Sequence, residues 1–150
     1  MTTADATWLL DTSVLVNVLR DTPLGRHLVE QQQLRARIVA PLLSVVSVGE
    51  LLSLGRQLGW GETKLARMQE LVSELVIIDI NNDVVLNSYA EIDAWCRQNG
   101  FRPGKNDLWI AASAVAANAT LLTADKDFDP LHERFLERVF FDPDGEYPTA

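Results

Sequence analysis

At 150 residues and 47% hydrophobic, the sequence can build one globular unit with a real core and leaves little room for two. A net charge of −8 argues against unaided binding to nucleic acid, because phosphate contacts come from Lys and Arg; either the acids gather where a cation neutralises them, or the chain works with a basic partner. The single cysteine, Cys96, excludes an internal disulfide and a multi-cysteine zinc site, His27 and His132 have no metal-ligand spacing, and no run of 18 apolar residues predicts a membrane span.

The start, MTTADATWLL, has no basic region ahead of its apolar stretch and does not read as a secretory signal, so a cytoplasmic protein is expected. ATWLL (6–10) reads as a short buried strand ending at Asp11. SVLVNVLR (13–20) turns helical, with Thr12 or Ser13 as its cap. DTP breaks that helix, and 24–35 reads as a second, polar one. RIVAPLLS (37–44) is extended, with Pro41 interrupting any regular central strand. Helical spacing of apolar residues marks 46–59, stopped by Gly59, and 62–75. VIIDI (76–80) is a strand, and 83–100 a helix closed by Asn99-Gly100. After the loop FRPGK, the Ala-rich 106–118 reads as a buried helix and TLLT (120–123) as a strand. DPLHERFL (129–136) predicts a short helix with Pro130 in its first turn, RVFF (138–141) a last strand, and DPDGEYPTA a loose tail.

Short apolar strands alternating with helices imply a parallel sheet with helices on both faces. Ligands in such folds bind at the C-terminal edge of the strands. Asp11 follows the first strand and Asp125 follows TLLT, so both carboxylates should emerge at that edge. Two further acids stand out: Glu50 sits among apolar neighbours in SVVSVGELLSLG, and Asp107 opens the most apolar helix. A lone acid in such a setting needs a partner or an exit to water.

Each acid alone has a plain structural reading. Asp11 supports a helix N-terminus, Asp107 or Asn106 caps one, Glu50 lies on a wet stripe, and the acids at 125–129 form a turn. Together they raise an electrostatic problem, since two carboxylates about 4 Å apart repel by roughly 1–4 kcal/mol. A hard divalent ion, Mg²⁺ or Mn²⁺, resolves it with oxygen ligands, and a pair of such ions can clamp a phosphodiester.

LLDTSVLV (9–16), LLSVVSVGELL (42–52) and NDLWIAASAVAANATLLTADKDFD (106–129), in that order and spacing, resemble the PIN-domain ribonucleases, and most nearly the VapC-type toxins of toxin–antitoxin pairs. The resemblance spans about residues 7–141, and the whole chain, 1–150, is expected to be one PIN-like unit with a loose tail. It implies a three-layer α/β/α sandwich around a central parallel sheet. It implies that Asp11, Glu50, Asp107 and Asp125 are the catalytic acids that hold Mg²⁺ or Mn²⁺, with Asp127 as an additional ligand or brace. Thr12 and Thr123 would steady carboxylates or waters. The activity implied is endonucleolytic RNA hydrolysis of the two-metal type, leaving 5′-phosphate and 3′-hydroxyl ends. The partners implied are an RNA substrate, a cognate antitoxin protein and a second copy of the chain.

Three other readings remain. A housekeeping RNA-processing nuclease of the same family carries the same acids. An aspartate-nucleophile phosphatase would place an acid two residues after Asp11, where this chain has Ser13. A non-catalytic module would hold a metal without turnover. Arg102, Lys105 and Lys126 are the cations nearest the motifs, as ordinary loop charges or as phosphate contacts.

Overall fold

The computed structural model describes residues 6–148; the first five residues and the last two of the expected tail lie outside the described residues. Five strands form one sheet in the order β3-β2-β1-β4-β5: β1 (Trp8–Leu10), β2 (Leu42–Ser44), β3 (Val76–Ile78), β4 (Thr120–Thr123) and β5 (Arg138–Phe140). Every pairing is parallel. The helices are α1 (Thr12–Leu19), α2 (Pro23–Glu30), α3 (Val45–Gln57), α4 (Glu62–Ser73), α5 (Asp83–Gln98) and α6 (Lys105–Ala116).

The two-residue period of the strands builds two cores. Leu9 and Leu121 face one side, against Ile92 and Cys96 of α5 and Ile110 and Ala111 of α6. Leu10, Leu43 and Leu122 face the other, against α1, α2, α3 and α4 through residues such as Leu15, Leu24, Leu51 and Met68. The result is the expected α/β/α sandwich. The alanines of α6 have a packing reason: Ala111, Ala112 and Ala114 are fully buried and carry no bulk that would hold the helix away from the sheet.

The strand order reverses between β1 and β4. The chain leaves β1 toward β2 on one side and β4 lies on the other, in register Leu10 with Leu122. A crevice opens at such a switch, at the carboxyl ends of the strands. Asp11 is the next residue out of β1, and its backbone N–H still bonds Leu122 O at 2.9 Å.

Several expectations are corrected. The helix over 129–136 is a 3-10 helix at Lys126–Leu131, because the Asp125 side chain accepts from the Asp127 N–H at 2.9 Å and tightens the turn directly after β4. Asp129 therefore opens no helix; it lies inside the 3-10 turn and pairs with Arg138 at 2.9 Å. The second helix stops at Glu30, and Gln33 takes a φ of 52°. Of 37–44 only Leu42–Ser44 pairs, just past Pro41. The cap of α1 is Asp11, not Thr12 or Ser13. The expected loose tail is anchored at Tyr147, whose ring centroid lies 4.7 Å from that of His27 and whose hydroxyl donates to Asp142 O at 2.7 Å. Among the described residues no helix is long and apolar enough to cross a membrane.

Candidate active site

Asp11 ends β1 and is 4% exposed. Burying a carboxylate this deeply demands hydrogen bonds. Two hydroxyls supply them to the same oxygen: Ser13 Oγ donates to Asp11 Oδ2 at 2.6 Å, and Thr123 Oγ1 donates to it at 2.8 Å. Both hydroxyls are themselves fixed by backbone donors, the Ala124 N–H on Ser13 at 3.0 Å and the Asp125 N–H on Thr123 at 2.9 Å. Burial still raises the Asp11 pKa, against the lowering effect of these hydroxyls.

Glu50 sits in α3, two turns above β2. Thr12 Oγ1, at the first position of α1, lies 2.7 Å from Glu50 Oε1 and donates to it, and it also lies 2.8 Å from Ser47 Oγ. Ser47, one turn before Glu50 on α3, is fully buried. This hydroxyl pair ties α1 to α3 and fixes the glutamate from a neighbouring helix.

Asp107 stands in the first turn of α6, where the unpaired N–H groups of a helix favour negative charge. Its pKa is nevertheless raised to about 7. Burial is the largest cause, followed by the charges of Asp11, Asp125, Asp127 and Glu50. The four other acids singled out in the sequence therefore all bear on Asp107. The tightest group is Asp107, Asp125 and Asp127, with one carboxylate oxygen from each inside 4.8 Å of the others. Asp127 is also raised, first by the charge of Asp125.

The donor set is all carboxylate oxygen, with hydroxyls behind it and no histidine or thiol in the group. That chemistry fits a hard divalent cation. Asp127, expected as an extra ligand or brace, lies within the closest trio, whereas Asp11 and Glu50 lie outside it. Ser13 and Ser47 were not anticipated as supports. Ser13 fills the position where an aspartate-nucleophile phosphatase needs its second acid, and its hydroxyl serves Asp11 instead.

Residues 8–133 match the family model of the PIN domain. The chain belongs to the PIN-domain family. It is 29% identical over 136 residues to ribonuclease VapC2 of Rickettsia felis, covering 87% of this chain and 96% of that one. It is 28% identical over 119 residues to ribonuclease VapC1 of Haemophilus influenzae, covering 77% and 84%. Among solved structures, VapBC2 of Rickettsia felis bound to a DNA fragment from its promoter superposes with a TM-score of 0.79 at 24% identity, over 91% of this chain and 99% of that one. FitAcB of Neisseria gonorrhoeae gives 0.64 at 24% identity, over 91% and 98%. The PIN match begins at Trp8 in β1 and ends just past the 3-10 helix, so it contains all five acids.

Proposed function

We propose that this PIN-family chain is a metal-dependent endoribonuclease and the toxin of a toxin–antitoxin pair. The observation that carries the reading is the convergence of four carboxylates, Asp11, Glu50, Asp125 and Asp127, on a fifth, Asp107, whose pKa they and burial raise to about 7. Like charges packed this closely are costly unless a cation joins them. The relatives named ribonuclease VapC support RNA as the substrate.

Asp107, Asp125 and Asp127 would hold Mg²⁺ or Mn²⁺, with Asp11 and Glu50 completing the shell directly or through water. A bound ion supplies charge neutralisation at a phosphoryl oxygen and a lowered pKa for an attacking water. The protein's own task is preorganisation. Ser13 and Thr123 lock Asp11, Thr12 locks Glu50, and the 3-10 turn fixes Asp127 against Asp125. Water adds to phosphorus and the bond to the 3′ oxygen breaks, giving a 5′-phosphate and a 3′-hydroxyl. The deciding experiment is cleavage of total cellular RNA with Mg²⁺ or Mn²⁺ by the native chain and by Asp107→Asn. Discrete fragments from the native chain alone, lost on chelation, support the reading; equal cleavage by both removes it.

The partner reading rests on the same acids. A basic antitoxin segment would place an arginine among the carboxylates, where bidentate pairing replaces the cation's charge. An open groove of about 560 Å³ runs along α3, lined by Glu50, Ser53, Gln57 and Asn106 beside Val46 and Leu54, and suits a segment that offers both polar and apolar side chains. A toxin–antitoxin complex from Klebsiella pneumoniae is among the similar structures. Suppression of cleavage by the co-expressed neighbouring gene product tests this. A homodimer working in the cytoplasm is part of the same proposal, and light scattering of the purified chain checks the stoichiometry.

A further inference from the structure

One cleft adjoins the acidic centre and shares one of its carboxylates. It measures about 250 Å³ and its walls include Phe101, Arg102, Pro103, Lys126, Asp127 and Pro130. Asp127 is shared: it borders the cleft and is one of the three clustered carboxylates. Whatever fills the cleft therefore lies directly beside the carboxylates of Asp107, Asp125 and Asp127.

The lining has the chemistry of a nucleotide site. Phe101 is 39% exposed, and it rests on Trp95 at 5.6 Å with the rings inclined by only 19°. Trp95 is in turn buttressed edge-on by Phe135 at 5.4 Å. That backing fixes an aromatic platform on which a base can stack. Arg102 and Lys126 supply positive charge at the same cleft, and neither forms an ion pair among the described residues, although the chain has a large surplus of acids. Lys126 stands between Asp125 and Asp127 in sequence and still pairs with neither. Pro103 and Pro130 stiffen the walls. The volume falls below the roughly 300–1,000 Å³ of sites that enclose a drug-sized ligand, and suits one planar ring system.

We propose that this cleft is the subsite for the nucleotide adjoining the scissile phosphate of single-stranded RNA. The base stacks on Phe101, and Arg102 and Lys126 contact the flanking phosphates. The proposal rests on the ribonuclease reading and adds a determinant of base preference at the cut.

The test uses the full chain with Mn²⁺ and total cellular RNA, with fragment ends sequenced, followed by a fluorescent oligonucleotide spanning the strongest cut. Phe101→Leu keeps the apolar bulk over Trp95 and removes the aromatic face; Phe101→Trp restores it. The expected result is a roughly 5- to 150-fold fall in kcat/KM for Phe101→Leu, seen in KM, with an altered base preference beside the cut and recovery in Phe101→Trp. Arg102→Ala should flatten the slope of log KM against log salt by about 0.7, the value of one single-strand phosphate contact. Unchanged kcat/KM and cut preference in Phe101→Leu, with the native chain active, overturn the subsite alone. A native chain that cleaves no RNA overturns the ribonuclease reading and the subsite with it.

Discussion

Thr123 Oγ1 donates to Asp11 Oδ2 at 2.8 Å, joining residues 112 positions apart in the chain. The bond exists because β1 and β4 are parallel neighbours whose last residues emerge together at the switch point. It turns a topological feature of the sheet into the orientation of a buried carboxylate.

Thr123→Val removes that donor at nearly constant volume. Asp11 keeps Ser13 but loses one of two hydroxyls on the same oxygen. The cost should be about 1–3 kcal/mol. Both burial and the lost bond then act to raise the Asp11 pKa, so the loss should be greater at pH 8, where the charged form must be held, than at pH 4. Urea unfolding at the two pH values measures it, and an equal loss at both would contradict the arrangement.

Asp107→Asn separates chemistry from stability. The folded pKa of Asp107 is about 7 and the unfolded value 3.8. A raised carboxyl favours the folded state most fully below the unfolded pKa, and that stability is lost as pH climbs through the folded one. Between pH 4 and pH 7 the native, metal-free chain should therefore lose stability that the asparagine variant keeps. The variant should melt at or above the native temperature at pH 8 while cleaving no RNA. A variant less stable than the native chain at pH 8 would show that Asp107 is held by attractive contacts instead.

Divalent cations should reverse this pH trend. A ligand bound only by the folded chain stabilises it by about 2.7 kcal/mol at a hundredfold excess over Kd. At pH 5 the Asp107 proton must first be displaced, because its pKa lies near 7. The rise in Tm with Mg²⁺ or Mn²⁺ should be large at pH 8, small at pH 5, and abolished by chelation. Equal shifts at both pH values would place the ion away from Asp107.

These behaviours trace to features of unequal legibility. Thr120–Thr123 was readable to the residue, as a short apolar run, TLLT, that follows the Ala-rich helix and stops before the aspartates. The convergence of Asp11 and Asp125 followed from strand ends alone. The Thr12–Ser47 contact was not readable, since it depends on how α1 crosses α3 and no local pattern encodes that angle. The 3-10 turn was misread as a later helix because one bond from the Asp127 N–H to the Asp125 side chain overrides the helical spacing of DPLHERFL. A turn through 125–129 was readable from its acids, but not that it brings a carboxylate oxygen of the exposed Asp127 within 4.8 Å of those of Asp107 and Asp125, which depends on where α6 begins beside β4.

Away from the acids, Gly25 holds the crossing of α1 and α2. A Cβ there would meet Asn17 O at 2.1 Å and Val18 Cα at 2.9 Å, both backbone atoms that cannot swing aside. Gly25→Ala should force the two helices apart and cost about 1–3 kcal/mol or more. Thermal unfolding checks this, and a variant that melts like the native chain would mean that α2 shifts freely.

Ser13 and Thr123 make one further relationship measurable. Both hydroxyls donate to Asp11 Oδ2, and each is oriented by a backbone N–H at the end of β4. Ser13→Ala leaves the Ala124 N–H without its acceptor and Asp11 with Thr123 as its one hydroxyl donor beside the Thr12 backbone N–H. In the double variant Ser13→Ala/Thr123→Val the carboxylate keeps only the Thr12 backbone N–H, and a buried charge so poorly supplied with donors protonates or drags in water. The two losses should therefore not add. A coupling of about 0.5–3 kcal/mol is expected for groups sharing one partner, against near-additivity for independent sites. A double-mutant cycle in urea at pH 7.5 reads the coupling directly. Additive losses would mean that the two hydroxyls do not act through Asp11 together, and that its orientation comes from the β1–β4 pairing alone.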